Sequence, residues 1–260
     1  MTLSAQAILV VNHLKSLDVA ALVLDTALYA VFGLLFYYVW PVTTPGLGLV
    51  RFWPQVIIPA VFAVIFGPWV GGAGAAMGIF INDMFIHGNP VLSLMAGVTS
   101  NFAMFWIIGY IASKDVDWKI PMVGCGIISA LLVWISYISQ SSEYTLIFST
   151  IVIGSYVSMI IIAALTRRWR SFEWGSMLGL LVGSTIIGTM VPVFSYFFIM
   201  PGNTALNPLS TTAGLSYIIW TFSTEIPFLI IAGPPILWAC YRAFPRFDRK
   251  KRVTRSEGSS

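Results

Sequence analysis

Residues 52–82 read FWPQVIIPAVFAVIFGPWVGGAGAAMGIFIN and contain no charged side chain. A run of this length and polarity is at home in hydrocarbon, where about 20 apolar residues span the bilayer core. It is broken once, at Phe66-Gly67-Pro68-Trp69. There Pro68 stops one helix, and Gly71-Gly72 lets the next pack closely, so the stretch predicts a hairpin of two short helices. The same absence of charge recurs over 120–142, 144–166 and 174–224. Of the 260 residues, 58% are hydrophobic and 9% charged, with a mean hydropathy of +0.86. Soluble domains are about 25% charged. Most of the exterior must therefore face lipid rather than water.

Charges, Pro and Gly divide the chain into eight apolar segments, approximately 17–40, 53–68, 70–87, 91–113, 120–139, 145–166, 174–199 and 215–243. All read as helices, because an open sheet edge does not survive in lipid and the runs lack the alternating polar rows of a barrel. The expected fold is an all-α polytopic membrane bundle of about eight helices, one transmembrane domain over 1–243. A basic, then Ser/Gly-rich tail follows over 244–260. Orientation follows from the accumulation of Lys and Arg on the cytoplasmic side. With both termini inside, all but one of the 14 bases fall in cytoplasmic loops or the tail, and Arg51 alone lies outside. A missed helix would flip every later loop and destroy that asymmetry. Residues 1–17 lack the compact apolar core and small-residue cleavage site of a signal peptide, so the first span is expected to be retained.

Several chemistries are excluded by what the sequence lacks. No basic face interleaved with aromatics lies outside the tail, which argues against nucleic acid. Cys125 and Cys240 both sit in apolar runs, and with only His13 and His87 present no His-based zinc site assembles. There is no Gly-Lys-Ser/Thr, and Gly72-Ala73-Gly74 lacks the third glycine and strand context of a dinucleotide turn. Asp115-Val116-Asp117, flanked by Lys114 and Lys119, reads as a solvated loop. No catalytic residue, cofactor or metal is expected.

Ionisable groups inside a span are more informative, since each costs several kcal/mol to insert. Asp83 closes the third segment beside Asn82 and ahead of His87 and Asn89. Glu225 lies in the outer half of the eighth, with Thr221 on its face and Trp220 and Thr224 beside it. Arg51 precedes Trp53 at the mouth of the second, and Asn101 ends a Ser93, Gly97, Asn101 stripe near mid-membrane. Arg51, Trp53, Asn82, Asp83, Asn101, Trp220, Thr221 and Glu225 are therefore expected to line one outward pocket walled by Trp53, Trp106 and Trp220. Outward carboxylates suit a cationic or zwitterionic solute, and the tryptophans suit a flat ring. The alternative is structural: Arg51 as counter-ion to one of the acids. Asp25, in the first segment, reads either as a paired structural acid or as part of a docking face. The Gly175, Gly179, Gly183 stripe reads as helix packing.

The order and spacing of Arg51-Phe52-Trp53-Pro54, Ile65-Phe66-Gly67-Pro68-Trp69-Val70-Gly71-Gly72 and Gly78-Ile79-Phe80-Ile81-Asn82-Asp83 resemble the second and third helices of the substrate-binding S components of energy-coupling factor (ECF) vitamin transporters. Asn89-Pro90 through Asn101 and Gly109-Tyr110-Ile111 are similar to that family's next helix. Ile226-Pro227-Phe228 to Gly233-Pro234-Pro235 is similar to its last, and together the matches cover about two fifths of the chain. The resemblance implies a plasma-membrane subunit that captures a vitamin-like solute outside and docks on a transmembrane coupling subunit with ATPase subunits. It also implies a docking alanine pair on the first helix, for which the nearest positions are Ala20, Ala27 and Ala30, with Asp25 intruding. S components usually have six helices, so 120–166 looks like an added pair. The rival expectations are a stand-alone secondary transporter or channel coupled through Asp83 and Glu225 and, further off, a membrane-bound lipid transferase.

Overall fold

The computed structural model describes residues 3–44, 47 and 50–247; the basic tail expected from the sequence lies, beyond Phe247, outside the described residues. Helices account for the regular structure there. The helices are α1 (Leu3–Val39), α2 (Ile57–Phe66), α3 (Pro68–Ile86), α4 (Pro90–Leu92), α5 (Thr99–Ala112), α6 (Lys119–Ser139), α7 (Ser142–Leu165), α8 (Arg170–Phe197), α9 (Thr211–Pro227) and α10 (Gly233–Ala243). Two of the rods are continuous through a wide, π-helical turn: Ser93–Val98 joins α4 to α5, and Phe228–Ala232 joins α9 to α10. The second has a covalent cause. Pro234 and Pro235 bring no N–H for the carbonyls four residues earlier, so the turn between the rods opens.

Seven helices among the described residues are long and apolar enough to cross a bilayer: Ser16–Val39, Pro68–Ile86, Pro90–Ala112, Pro121–Ser139, Ser142–Leu165, Arg167–Phe197 and Thr211–Ala243. The chain is thus an all-α, multi-pass membrane bundle. The remaining expected segment, the second, is helical but short. Pro54–Phe66 is one tight turn followed by α2, roughly 20 Å at 1.5 Å per residue against about 30 Å of hydrocarbon. Its inner end is still deep. Gly67, at φ +117°, makes the reversal, and a Cβ on Gly109 in the last turn of α5 would stand 2.8 Å from both the Ala63 carbonyl and Pro68 Cα. The hairpin therefore reaches the far end of α5, and the alternation of the eight segments survives the short one.

Glycine stripes set which helices touch. Those of α8 lie flat on α5: a Cβ on Gly175 would approach the Ile108 carbonyl to 3.1 Å, on Gly179 the Met104 carbonyl to 2.7 Å, and on Gly183 the Met104 Cβ to 3.0 Å. On α3, Gly74 faces Asp25 and Gly78 faces Tyr29, both on α1. Small residues let backbones meet where lipid offers no hydrophobic drive for association. Outward faces stay apolar, with Val19, Val23 and Val31 on α1 and Leu146, Ile153 and Ile161 on α7 all exposed.

The pair α6 and α7, the segments read as additional, pack on each other and on α9. Phe148 of α7 meets Trp220 of α9 edge-on at 6.0 Å, and Ser216 of α9 donates to the Ser139 carbonyl of α6 at 3.3 Å. At the opposite end the flanks of the pair are joined, since Ser171 Oγ donates to the Lys114 carbonyl at 2.6 Å.

Candidate functional site

The loop after α1 folds back on itself before entering α2. Thr44 N–H donates to the Val50 carbonyl and Phe52 N–H to the Val42 carbonyl, each at 2.8 Å, around an antiparallel bridge between Thr43 and Arg51. This holds Arg51 over the end of α3. One guanidinium nitrogen lies 3.5 Å from Asp83 Oδ1, and the group faces the rings of Tyr37 at 5.4 Å and Trp53 at 5.6 Å, distances at which ring and cation attract. Burial pulls the Arg51 pKa down and Asp83 opposes that pull. The group remains charged, as arginine does in proteins.

Asp83 has three partners. Arg51 and His87 Nε2 (3.4 Å) share Oδ1, and Ser93 Oγ donates to Oδ2 at 2.8 Å. The Asp83 carboxylate also lies against Gly97, where a Cβ would come within 2.5 Å of Oδ2. The glycine of the Ser93, Gly97, Asn101 stripe thus makes room for the acid. It sits in the wide turn Ser93–Val98.

Deeper in, Tyr29 of α1 joins three elements. Its hydroxyl accepts from Trp53 Nε1 at 2.9 Å and donates to Asn101 Oδ1 at 2.7 Å, while Asn101 Nδ2 donates to the Gly97 carbonyl at 2.9 Å. Its ring meets Trp53 and Phe105 edge-on. Around these groups lies a cavity of about 90 Å³, lined by Val50, Arg51, Trp53, Ile79, Asp83 and His87, by Leu92, Ala96, Gly97, Asn101 and Met104, and by Ile187, Val191 and Glu225. Glu225 is 4% exposed, and its Oε2 is buried without a hydrogen-bond partner. It lies roughly 20 Å along α9 from Thr211, and Asn101 roughly 17 Å from Pro90, at 1.5 Å per residue. Glu225 is therefore on the outer side of its rod as expected, but only just short of the middle, because the helix begins at Thr211 and continues to Ala243.

Five of the eight expected residues, Arg51, Trp53, Asp83, Asn101 and Glu225, line this one cavity. Three do not. Asn82 points the other way, with Nδ2 donating to the carbonyls of Gly78 and Tyr29 and the amide filling the space opposite Gly33 of α1. Trp220 faces Phe148 of α7, and Thr221 is fully buried with an unpartnered Oγ1. The expected wall of three tryptophans reduces to Trp53, since Trp106 stacks on Tyr110 at 5.1 Å and meets Trp69 edge-on. The docking quartet splits as well. Ala20 and Ala27 are exposed, whereas Ala30 is buried and Asp25, at 0% exposure, presses on Gly74 with neither oxygen partnered. Asp25 is thus an interior group and no part of an external face.

Tyr29 is a polar residue that the sequence reading passed over, and His87, named there only as a residue beyond Asp83, joins the cavity lining. His87 is four residues after Asp83, a spacing that signals a shared helix face, and Tyr29 stands in the same relation to Asp25. Glu173 was also missed; it is fully buried in the first turn of α8 with both oxygens unpartnered. Among the described residues no group of three His, Cys, Asp or Glu is placed to hold a metal ion. Comparison with known proteins finds no matching family model, no matching curated protein and no matching solved structure.

Proposed function

We propose that the chain is the membrane-embedded, solute-binding subunit of an ECF-type importer. It captures a vitamin or related micronutrient outside the plasma membrane for uptake driven by partner subunits. The observation that carries this reading is convergence. Residues far apart in sequence, Arg51, Asp83, Asn101 and Glu225, meet around one cavity that reaches the loop end of the bundle, the end that the distribution of bases assigns to the outside. Polar groups scattered towards lipid would each carry an insertion cost with nothing to offset it. A mostly apolar chamber with a few convergent polar groups is the usual form of a small-molecule site. The lack of a nucleotide-binding loop agrees with a chain that leaves ATP hydrolysis to others. On α1, Ala20 and Ala27 lie on the exposed apolar face with Val23, Leu24 and Val31, and this face is where a coupling subunit would dock.

Denaturing the purified protein and identifying any released small molecule by mass spectrometry tests the capture step. Reconstitution tests the division of labour, because the protein alone should bind without accumulating solute. Uphill uptake by the protein alone under a proton gradient would replace this reading with the secondary transporter. One observation favours that rival: Asp25 is buried and unpartnered in the span that also carries Tyr29, an arrangement suited to a travelling ion.

A further inference from the structure

We infer that the cavity is built for a small cation bearing N–H donors, a protonated amine or amidine, whose charge is taken by Glu225. This rests on the solute-binding reading and adds to it the chemical class of the solute.

Four ionisable side chains line the cavity: Arg51, Asp83, His87 and Glu225. Arg51 and Asp83 face each other at 3.5 Å and cancel. His87 is engaged at both ring nitrogens. Its Nδ1 lies 3.1 Å from the backbone nitrogen of Asn89, and a backbone N–H can only donate. Nδ1 therefore offers its lone pair, the ring proton is on Nε2, and that proton points at Asp83 Oδ1, 3.4 Å away. With His87 bonded at both nitrogens and the Arg51–Asp83 pair closed, the lining retains one ionisable group that is unmatched. That group is Glu225, whose Oε2 is buried and without a partner.

Hydrogen-bonding capacity narrows the class further. Asp83 already has Arg51, His87 and Ser93 on its two oxygens. Asn101 has spent its carbonyl on Tyr29 and an N–H on the Gly97 carbonyl. Trp53 has given its one N–H to Tyr29. A polyhydroxylated solute would find few free partners here, and a carboxylate or phosphate would meet an unmatched acid of its own sign at the deep end. Ile79, Met104, Ile187 and Val191 supply apolar wall and the Trp53 ring a flat one. The group that these surroundings lack is a positive charge with N–H donors on a small apolar body. Offered to Glu225 away from water, it forms the charge-assisted kind of hydrogen bond.

The test uses three probes of matched size, propylammonium, propan-1-ol and propionate, titrated into the purified full chain while its melting temperature is followed. A ligand that binds only the folded form raises the melting point in proportion to its occupancy. Propylammonium should raise it, and the alcohol and the acid should not. Glu225→Gln should weaken the propylammonium effect roughly ten- to a hundredfold in apparent Kd, the scale of one charge-assisted hydrogen bond. Glu225→Asp, which keeps the charge, should retain the preference and serves if the Gln variant folds poorly. Equal stabilisation by propanol or propionate, or an undiminished propylammonium effect in Glu225→Gln, would overturn the cation while leaving a solute site in place. No effect of any probe, together with no small molecule released on denaturation, would overturn both.

Discussion

Tyr29→Phe isolates one hydroxyl at the point where three elements meet. The ring contacts with Trp53 and Phe105 are kept, but Trp53 Nε1 loses its acceptor and Asn101 Oδ1 its donor. Both groups are mostly buried, though each also borders the cavity. Interhelical hydrogen bonds inside membrane proteins average about 0.6 kcal/mol and reach about 1.7. Two of them give an expected loss of roughly 1–3 kcal/mol. Reversible unfolding in mixed micelles with a denaturing detergent measures it. Combining Tyr29→Phe with Asn101→Leu closes a double-mutant cycle, and the coupling should be about 0.6–1.7 kcal/mol. A Tyr29→Phe loss below about 0.3 kcal/mol, or strict additivity in the cycle, would show that the hydroxyl does not tie α1 to α5, and the deep wall of the cavity would need another support.

The helix contacts and the orientation give further expectations. Gly179→Ala drives a methyl to 2.7 Å from the Met104 carbonyl and should cost about 1–3 kcal/mol as an overpacked contact. Gly154→Ala meets nothing within 4 Å and should be neutral or gain about 0.5–1 kcal/mol from helix propensity, and a melting curve for each in one detergent compares them. Asp25→Asn should leave stability unchanged or raised, since neither carboxylate oxygen has a partner to lose, and a drop of about 3–5 kcal/mol, the cost of breaking a buried ion pair, would expose an unrecognised cation. Cysteines introduced at Ser142 and Thr204 should react with an impermeant reagent from outside and one at Val116 should not, and the reverse pattern would invert the bundle.

The membrane bundle was legible because lipid leaves few choices. Charge-free runs the length of a bilayer are helices whatever their neighbours, and the reversal at Gly67-Pro68 is written in the two residues that make it. The length of the second segment was less legible. Its apolar run begins at Phe52, but Arg51 and Trp53 are committed to Asp83 and Tyr29, so the helix starts only after them. Of the site, the charged members were legible because a charge in a span needs a reason. Direction around the helix was not. Asn82 and Asp83 are neighbours in sequence yet face α1 and the cavity respectively, and four-residue spacing placed Thr221 with Glu225 although only Glu225 reaches the cavity. Facing of that kind is settled by which helix packs where, information that a single sequence holds only diffusely. Tyr29 escaped notice because a tyrosine in an apolar helix looks like ordinary core until its hydroxyl is seen between Trp53 and Asn101.

The contact between Ser171 and the Lys114 carbonyl gives the α6–α7 pair the character of a detour. The chain leaves the bundle at one point, makes two crossings, and comes back to where it left. Two crossings preserve parity, so everything after Ser171 keeps its side of the membrane whether the detour is present or bypassed. The cavity draws no wall from it. What the detour covers is the far flank of α9, where Trp220 packs on Phe148 and would otherwise meet lipid. Bypassing the excursion would leave the rest of the chain threaded as before, with Trp220 on α9 as the residue left uncovered.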